Sequence, residues 1–303
     1  MKTYWGIDLG GTKIEAVVLA NIYPPEVVYR KRIPTESHQG YTHIIERIGE
    51  LIDLVAKEIG HRPTRIGIGT PGTLDPLSQR MKNCNTTCLN GQMLKQDLEQ
   101  SLGISFEMAN DANCFALAET RMGAVADYMP EAQVVFGIIM GTGVGGGVVI
   151  NGQVLHGRQG IGGEWGHNFM DDSGGPCFCG LVGCVETVIS GTALEGFYQR
   201  QGGQKRKLKE IVERHQQGID VQATATIERL IFFFGRGIAS VLNVIDPDAV
   251  VIGGGVGNID LLYTEGVKSA ERFLFNKKLE TVFLKPKLGD SAGVFGAASL
   301  LLE

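Results

Sequence analysis

The chain has 303 residues, 43% hydrophobic and 20% charged, a composition typical of a folded globular protein and not of a disordered one. Its 28 basic and 33 acidic residues give a net charge of −5 at pH 7 with no long run of one sign, which argues against nucleic acid or an anionic membrane as a partner. The first residues lack a signal-peptide pattern, and no apolar run approaches the length of a membrane-spanning helix, so we expect a cytoplasmic protein.

Strands and helices are predicted in a mixed order along the chain. Short β-branched runs bounded by glycine predict strands over residues 3–8, 15–20, 27–33, 65–69, 134–140, 148–150 and 249–252. Apolar residues at helical spacing predict helices over residues 44–59 and 230–241. This mixture indicates an α/β fold. The 43 glycines cluster at the ends of the apolar runs, where the backbone must bend sharply or approach a ligand closely.

The order strand, glycine-rich turn, strand occurs twice, first from residue 3 and again from residue 134. Such an internal repeat predicts two lobes built on one plan, with a cleft between them onto which both turns open. We place an N-terminal α/β lobe at residues 1–115 and a C-terminal α/β lobe at residues 116–303, with the last helix able to pack back on the first lobe.

The first turn has the sequence Asp8-Leu9-Gly10-Gly11-Thr12-Lys13. Its glycine and threonine amides are suited to surround a phosphate, and Thr12 and Lys13 add a hydroxyl and a cation. Asp8, at the strand end, is suited to hold a hydrated Mg²⁺. A plain hairpin turn is the structural alternative, because Gly-Gly alone is common in turns.

The second turn, at residues 141–147, reads Gly-Thr-Gly-Val-Gly-Gly-Gly and contains the G-x-G-x-x-G fingerprint of dinucleotide-binding folds. That fingerprint requires a helix directly after the turn. Here residues 147–150 have the pattern of a strand, and Asn151-Gly152 is a strong hairpin signal. An oxidoreductase with a nicotinamide cofactor is therefore the weaker alternative.

Three cysteines, Cys177, Cys179 and Cys184, lie within eight residues, and His167 lies ten residues upstream. One imidazole and three thiolates complete a tetrahedral zinc shell, which closes the metal to water and marks it as structural. Three unrelated buried thiols are the alternative. The other three cysteines show no such spacing and are predicted to be packing residues.

Asn110 and Asp111 precede a predicted helix. Asn and Asp are common helix N-caps, which is the structural interpretation of this pair. A carboxylate fixed at a helix start, near the lobe boundary, is also placed to act as a general base on a substrate in the cleft. Glu164 and Glu186 flank the cysteine cluster, so a metal-ordered loop would present two carboxylates and the His167 imidazole to a polyhydroxylated ligand. Paired carboxylates also occur in glycoside hydrolases, but no other feature supports that activity.

Together these motifs resemble those of the ROK family of bacterial sugar kinases and repressors. The matching segments are D-L-G-G-T-K, N-D-A-N, G-T-G-V-G-G-G, G-E-W-G-H and C-x-C-G-x-x-G-C-x-E, in order from Asp8 to about Gly296. The resemblance implies an actin-like, ribonuclease H-like fold of two α/β lobes. It also implies ATP and Mg²⁺, a hexose as acceptor, a structural Zn²⁺ and a homodimer.

The resemblance also implies roles for single residues. It assigns contacts with the nucleotide to Asp8, Gly10, Gly11, Thr12, Lys13, Gly141, Thr142, Gly143, Gly145, Gly254 and Gly255. It assigns the general base to Asp111 and contacts with the sugar to Gly72, Asn85, Asn110, Asp111, Glu164, His167 and Glu186. The implied zinc ligands are His167, Cys177, Cys179 and Cys184, so His167 would serve the metal with one ring nitrogen and the sugar with the other.

Within the family, residues 82–92 resemble the fructokinase and mannokinase branch. The matching residues are Asn83, Asn85, Leu89, Asn90 and Gly91. That branch tends to carry Trp where this chain has Cys88. We therefore expect phosphorylation of a hexose at its 6-hydroxyl, with fructose favoured, then mannose or glucose. The alternatives are an N-acetylglucosamine kinase or glucokinase of the same family, or a sugar-responsive regulator without catalysis.

Overall fold

The computed structural model describes residues 3–276 and 278–302, and the chain divides into two compact units. Unit 1 comprises Met1–Pro130, Gly147–Gly163 and Lys287–Glu303, and unit 2 comprises Glu131–Gly146 and Glu164–Pro286. The chain therefore passes from one unit to the other after residues 130, 146, 163 and 286.

The strands are numbered here in chain order. They are β1 (Tyr4–Leu9), β2 (Lys13–Asn21), β3 (Glu26–Pro34), β4 (Arg65–Thr70), β5 (Thr73–Leu74), β6 (Met81–Lys82), β7 (Ser105–Asn110), β8 (Val134–Met140), β9 (Val144–Ile150), β10 (Gln153–Val154), β11 (Ala249–Gly253) and β12 (Val282–Leu284).

The α-helices are numbered in the same way. They are α1 (Tyr41–Ile59), α2 (Leu94–Leu102), α3 (Asp111–Arg121), α4 (Ala124–Tyr128), α5 (Val185–Ile189), α6 (Gly191–Arg200), α7 (Leu208–Gln216), α8 (Val221–Ile245), α9 (Gly254–Gly257), α10 (Glu265–Glu271) and α11 (Ala292–Ser299). The lobe boundary predicted at residue 115 falls inside α3, which lies in unit 1 over its whole length. Over the residues that the structure describes, none of these helices has the length and apolar character needed to cross a membrane.

Two five-stranded sheets follow the same plan. The first has the order β3-β2-β1-β4-β7, and the second has the order β10-β9-β8-β11-β12. In each sheet the three strands that are consecutive in sequence lie on one side, and two later strands extend the other side. The parallel pairs β1–β4, β4–β7, β8–β11 and β11–β12 complete the two sheets. The internal repeat predicted from the two glycine-rich turns is therefore present in the sheets.

Each predicted strand corresponds to an observed strand, although β1 begins at Tyr4 and not at residue 3, and both predicted helices are present. Helix α8 begins at Val221, nine residues before the predicted start at residue 230. Among the strands the largest difference is β9, which begins at Val144, whereas the sequence predicts a strand only from residue 148. The sequence Val-Gly-Gly-Gly has little intrinsic strand preference, so its extended backbone depends on the neighbouring strand. Asn151 and Gly152 adopt φ values of +51° and +75°, which confirms the predicted hairpin turn between β9 and β10.

Helix α1 covers one face of the first sheet. Its apolar stripe of Ile44, Ile48, Leu51, Ile52 and Val55 is buried, as the spacing of these residues predicts. The helix ends at Gly60, whose φ of +81° gives the left-handed C-cap that glycine favours.

Helix α11 packs in unit 1 against strands β1 and β4. A Cβ atom on Gly67 would lie 1.7 Å from the carbonyl oxygen of Ala297, and one on Gly6 would lie 2.3 Å from that of Val294. A Cβ on Gly296 would in turn lie 1.8 Å from the carbonyl oxygen of Cys114 in α3. Residues 292–299 therefore lie directly against β1, β4 and α3, although β12, the strand before them, belongs to unit 2.

Candidate active site

Asp8 lies near the carboxyl end of β1, paired with Gly69 of the parallel strand β4. Glycines line the space beside its carboxylate. A Cβ on Gly69 would lie 3.5 Å from Asp8 Oδ1, and one on Gly293 of α11 would lie 3.4 Å from Asp8 Oδ2. The carboxylate is thus placed between β4 and α11.

Desolvation by the surrounding protein atoms raises the pKa of Asp8 to about 6. The negative charges of Asp111 and Glu15 add to this increase, while the positive charges of Lys13 and Arg32 oppose it. The electrostatic interaction between Asp8 and Asp111 means that the expected cation ligand and the expected general base lie near each other in unit 1. Two neighbouring carboxylates favour a bound divalent cation.

The turn between β1 and β2 is held through its carbonyl groups. The hydroxyl of Thr35 donates to the carbonyl of Gly10 at 2.6 Å, and the amide of Thr35 donates to the carbonyl of Thr12 at 3.0 Å. The hydroxyl of Ser37 donates to the carbonyl of Gly11 at 2.8 Å. Among residues 3–276 and 278–302, no acceptor is found for the amides of Gly11 and Thr12. These two amides are therefore available to an anion such as a phosphate.

Asp111 begins α3, and Asn110 before it is buried. The side-chain oxygen of Asn110 accepts a 2.8 Å hydrogen bond from the amide of Asn113, so Asn110 is the predicted helix cap. Asp111 Oδ1 accepts a 2.8 Å hydrogen bond from the amide of Ala112. Asp111 is accessible to solvent, yet the protein atoms around it raise its pKa by desolvation. An accessible carboxylate with a raised pKa meets the requirement of a general base.

The other predicted sugar contacts of unit 1 lie on one tightly folded loop. A Cβ on Gly72 would lie 2.5 Å from Cys84 Sγ, so no side chain fits there. The amide of Asn85 donates to the carbonyl of Pro71 at 3.2 Å. Asn90 closes the loop, because its side chain accepts from the amide of Cys84 at 2.9 Å and donates to the carbonyl of Cys84 at 3.0 Å.

The second glycine turn, between β8 and β9, has a different local structure from the first. The amide of Gly141 donates to the carbonyl of Gly143 at 2.9 Å, and strand β9 follows directly, with Gly145 inside it. The helix that a dinucleotide fingerprint requires does not follow this turn, and the oxidoreductase alternative is wrong on that ground. Glu186 Oε2 accepts a 2.9 Å hydrogen bond from the amide of Val144, which places Glu186 beside the turn.

The turn after β11 lies against the end of β8 in unit 2. Gly254 has a φ of +81°, and a Cβ on it would lie 2.4 Å from the carbonyl oxygen of Met140, so glycine is required at this position. A cavity of about 810 Å³ opens beside it, a size that accommodates a nucleoside. Its lining includes Gly141, Thr142, Gly191, Thr192, Gly255 and Asn258.

The sequence interpretation missed the residues at the start of α6. The amide of Gly191 donates to the carbonyl of Gly141 at 2.8 Å, which ties α6 to the second glycine turn. Ser190 caps α6 by accepting a 3.1 Å hydrogen bond from the amide of Ala193. Ser-Gly-Thr at residues 190–192 is a typical helix start, and that signal was available in the sequence. Thr35 and Ser37, which hold the first turn, carry no comparable pattern.

Glu164 and His167 lie on a short 3-10 turn packed against the start of β9. The amide of His167 donates to the carbonyl of Glu164 at 3.3 Å. A Cβ on Gly166 would lie 1.9 Å from the carbonyl oxygen of Val144. Glu186 accepts a hydrogen bond from the amide of the same Val144. The elements that carry Glu164, His167 and Glu186, the three predicted sugar ligands of unit 2, therefore both contact Val144.

The expected zinc ligands lie together in unit 2. Their four ligand atoms lie within 4.8 Å of one another, on His167, Cys177, Cys179 and Cys184. His167 Nδ1 lies 3.6 Å from Cys177 Sγ, and the sulfur atoms of Cys179 and Cys184 are 3.6 Å apart. In a tetrahedral site with Zn–S bonds of about 2.3 Å, sulfur atoms are about 3.8 Å apart. The donor set and its spacing therefore fit zinc.

A small hairpin arranges these thiols. The amide of Cys177 donates to the carbonyl of Leu181 at 2.8 Å, and Gly180 makes the turn with a φ of +90°. Because Nδ1 of His167 is directed to the thiols, Nε2 is the ring nitrogen left for another partner. The six cysteines of the chain are all free thiols.

Comparisons with known proteins agree with this geometry. The model of the ROK family matches residues 4–303. The N-acetyl-D-glucosamine kinase of Vibrio parahaemolyticus is 34% identical over 99% of this chain and all of its own length. The N-acetyl-D-glucosamine kinase of Vibrio cholerae is 35% identical over the same shares of the two chains.

Solved structures of ROK proteins are similar to this chain over nearly its whole length. A ROK hexokinase from Thermus thermophilus superposes with a TM-score of 0.86 at 31% identity, over 99% of this chain and 97% of that one. A ROK glucokinase from Streptomyces griseus, in complex with glucose and AMPPNP, superposes with a TM-score of 0.78 at 28% identity, over 99% of both chains. The predicted actin-like α/β fold is thereby confirmed, and the chain belongs to the ROK family.

Proposed function

We propose that this protein is an ATP-dependent sugar kinase that phosphorylates a hexose at its 6-hydroxyl. The observation that carries the proposal is the pair of neighbouring carboxylates, Asp8 and Asp111, beside a turn with two available amides. Membership of the ROK family supports the proposal, as does the kinase activity named for the relatives.

In this proposal Asp111 orients the sugar hydroxyl and accepts its proton as the phosphoryl group is transferred. Desolvation raises the pKa of Asp111, which makes its carboxylate a stronger base than an exposed aspartate. Phosphoryl transfer requires mainly correct positioning and stabilisation of charge. The hydrogen bond from the amide of Ala112 fixes the carboxylate at the helix start for this task.

Each glycine turn is proposed to contribute contacts with the nucleotide within its own unit. The amides of Gly11 and Thr12 would receive a phosphate in unit 1, with Lys13 supplying a positive charge. The cavity beside Thr142 and Gly255 in unit 2 would receive the nucleoside. Asp8 would bind the Mg²⁺ that accompanies ATP, and that ion supplies charge neutralisation at the transferred phosphoryl group.

Fructose, the sugar favoured by the sequence pattern, is not supported by the comparisons. The alternative of an N-acetylglucosamine kinase agrees better with the relatives, and we propose N-acetylglucosamine as the preferred sugar. The residues that suggested fructose mainly shape their loop. Asn83 and Gly91 have positive φ values, and Leu89 is fully buried. The side-chain oxygen and nitrogen of Asn90 are both hydrogen-bonded to the backbone of Cys84.

Zinc is proposed to be structural and to hold the sugar-binding elements of unit 2. Cys184 precedes α5, which carries Glu186, and His167 ends the turn that begins at Glu164. A homodimer and a cytoplasmic location, both expected from the sequence, stay predictions.

Replacement of Asp111 by Asn tests the proposed general base. The isosteric amide cannot accept the proton, so we expect turnover to fall by about 10² to 10⁴ while sugar binding changes little. Release of ADP in a coupled assay measures turnover. Asp53→Asn, at an exposed ion pair with Arg62, is the control and should be active. Turnover of Asp111→Asn near that of the wild type contradicts the role, and absence of ADP release from the wild type with any hexose favours a non-catalytic regulator.

The raised pKa of Asp8 predicts a pH dependence of nucleotide binding. A protonated carboxyl group is a poor Mg²⁺ ligand, so affinity of the free enzyme for MgATP should fall as the pH falls through about 6. The loss should approach about tenfold for each further pH unit. The negative charge of Asp111 contributes to the raised pKa of Asp8. In Asp8→Asn the affinity should be low and much less dependent on pH, and a wild-type affinity that is constant to well below pH 6 contradicts the assignment.

Specificity constants test the sugar. We expect kcat/KM for N-acetylglucosamine to exceed that for fructose by about tenfold or more, because a site that hydrogen-bonds each substituent rejects analogues lacking it. Glucose and mannose are measured in the same coupled assay. A preference for fructose would restore the branch assignment made from residues 82–92 and leave the kinase proposal intact.

Metal analysis of freshly purified protein tests the zinc site. We expect about one zinc per chain, since the four ligands form a closed tetrahedral set. Cys179→Ser should lower both the zinc content and the melting temperature, because metal binding is coupled to folding of the loop. Cys88→Ser is the matched control, a partly buried thiol outside the cluster, and should retain zinc. Wild-type protein without zinc would rule out the assignment.

A further inference from the structure

Glu186 makes a contact that its expected role as a sugar ligand does not explain. It lies in the short helix α5, two residues after Cys184. Its Oε2 atom accepts a 2.9 Å hydrogen bond from the amide of Val144, the first residue of β9, which follows the turn at residues 141–143. A carboxylate that accepts from a backbone amide makes a charge-assisted hydrogen bond, which is among the stronger kinds.

The adjacent residue of the turn depends on the same carboxylate. A Cβ on Gly143 would lie 2.2 Å from Glu186 Oε2 and 3.1 Å from Glu186 Cδ. The Gly143 backbone therefore lies directly against the carboxylate, at a distance that only glycine permits. The Glu186 carboxylate therefore contacts both the Gly143 backbone and the amide of Val144.

Three hydrogen bonds together fix the conformation of this turn. The amide of Gly141 donates to the carbonyl of Gly143, and the amide of Gly191 donates to the carbonyl of Gly141. The bond from the amide of Val144 to Glu186 is the third, and it alone uses a side chain. The amide of Val144 is thereby occupied, which leaves Thr142 and Gly143 as the amides of the turn that a phosphate would meet.

We propose that Glu186 is a positioning residue for the second phosphate turn, and that it couples sugar binding to nucleotide binding. One carboxylate oxygen holds the turn, and the other is directed to a sugar hydroxyl. A sugar that fixes the carboxylate would therefore fix the turn, and by thermodynamic linkage a bound nucleotide would favour the sugar to the same extent. This inference rests on the proposed function, since it presupposes that sugar and ATP bind here.

The test measures affinity for the non-hydrolysable analogue AMPPNP with Mg²⁺ by calorimetry in the absence of sugar. Glu186→Ala removes the acceptor and should weaken AMPPNP binding by about tenfold, the scale of one hydrogen bond to a charged group. Glu186→Gln retains an oxygen that is able to accept from the Val144 amide, so its AMPPNP affinity should stay within about threefold of the wild type. Both variants should bind N-acetylglucosamine more weakly.

A double variant tests the direct contact. Gly143→Ala forces a methyl group against Glu186 Oε2 and should weaken AMPPNP binding. In Glu186→Ala the same methyl group has space, so adding Gly143→Ala there should cause a much smaller further loss. Non-additivity of this kind is expected for residues in contact and not for distant, independent sites. Thr187→Ala, which alters the next residue of α5, is the control and should leave AMPPNP affinity unchanged.

The coupling is measured by repeating the wild-type titration with saturating N-acetylglucosamine, which should raise AMPPNP affinity by about fivefold or more. Unchanged AMPPNP affinity in Glu186→Ala, or additive effects in the double variant, would overturn the positioning role. Wild-type affinity that is the same with and without sugar would overturn the coupling. Failure of the wild type to bind AMPPNP at all would instead refute the proposed function. Melting temperatures of each variant confirm that it is folded.

Discussion

The candidate site of unit 1 depends on a contact between backbones, because α11 lies too close to the first sheet for any side chain to separate them. Gly6 and Gly67 permit this approach on the sheet, and Gly296 permits it between α11 and α3. An ordinary interface between a helix and a sheet interdigitates side chains, which adapt to small shifts, whereas a contact between backbones has no side chains that could adapt. Since α11 carries Gly293 beside Asp8 and α3 begins with Asp111, one close-packed arrangement sets the places of both carboxylates.

In unit 2 the equivalent constraint is the start of β9. Gly166 packs on the carbonyl of Val144, and Glu186 accepts a hydrogen bond from its amide. The carbonyl and the amide of Val144 are thus each contacted by an element that carries an expected sugar ligand. The 3-10 turn that contains Gly166 also carries His167, and helix α5, which carries Glu186, directly follows Cys184. A metal bound there would act at a distance from the chemistry, by limiting how far the two elements can move from the glycine turn. A structural metal with four protein ligands would in this way keep the proposed sugar ligands correctly positioned, because metal binding is coupled to the folding of the elements that carry them.

Features with a local physical cause could be predicted from the sequence. The hairpin at Asn151-Gly152, the cap at Asn110 and the donor set for zinc each need only a few neighbouring residues. The strand character of the glycines after Val144 could not be predicted, because it comes from pairing within the second sheet. The sugar could not be predicted either. Asn90 holds its loop together through two hydrogen bonds with Cys84, and a residue that shapes a loop carries no information about which hydroxyl the loop contacts.

The two sheets share a plan, yet their glycine turns differ in charge. Asp8 is the penultimate residue of β1, and the penultimate residue of β8 is Ile139. Around the first turn Asp8 and Lys13 provide opposite charges, whereas the second turn offers backbone amides and the hydroxyl of Thr142. Carboxylates are preferred protein ligands of Mg²⁺. At the matching strand position only the first sheet supplies a carboxylate, and the Glu186 carboxylate beside the second turn accepts a hydrogen bond from the amide of Val144. In the proposed kinase the Mg²⁺ ligand therefore lies in unit 1, and this difference between the two turns follows from one side chain at matching strand positions and not from a difference in fold.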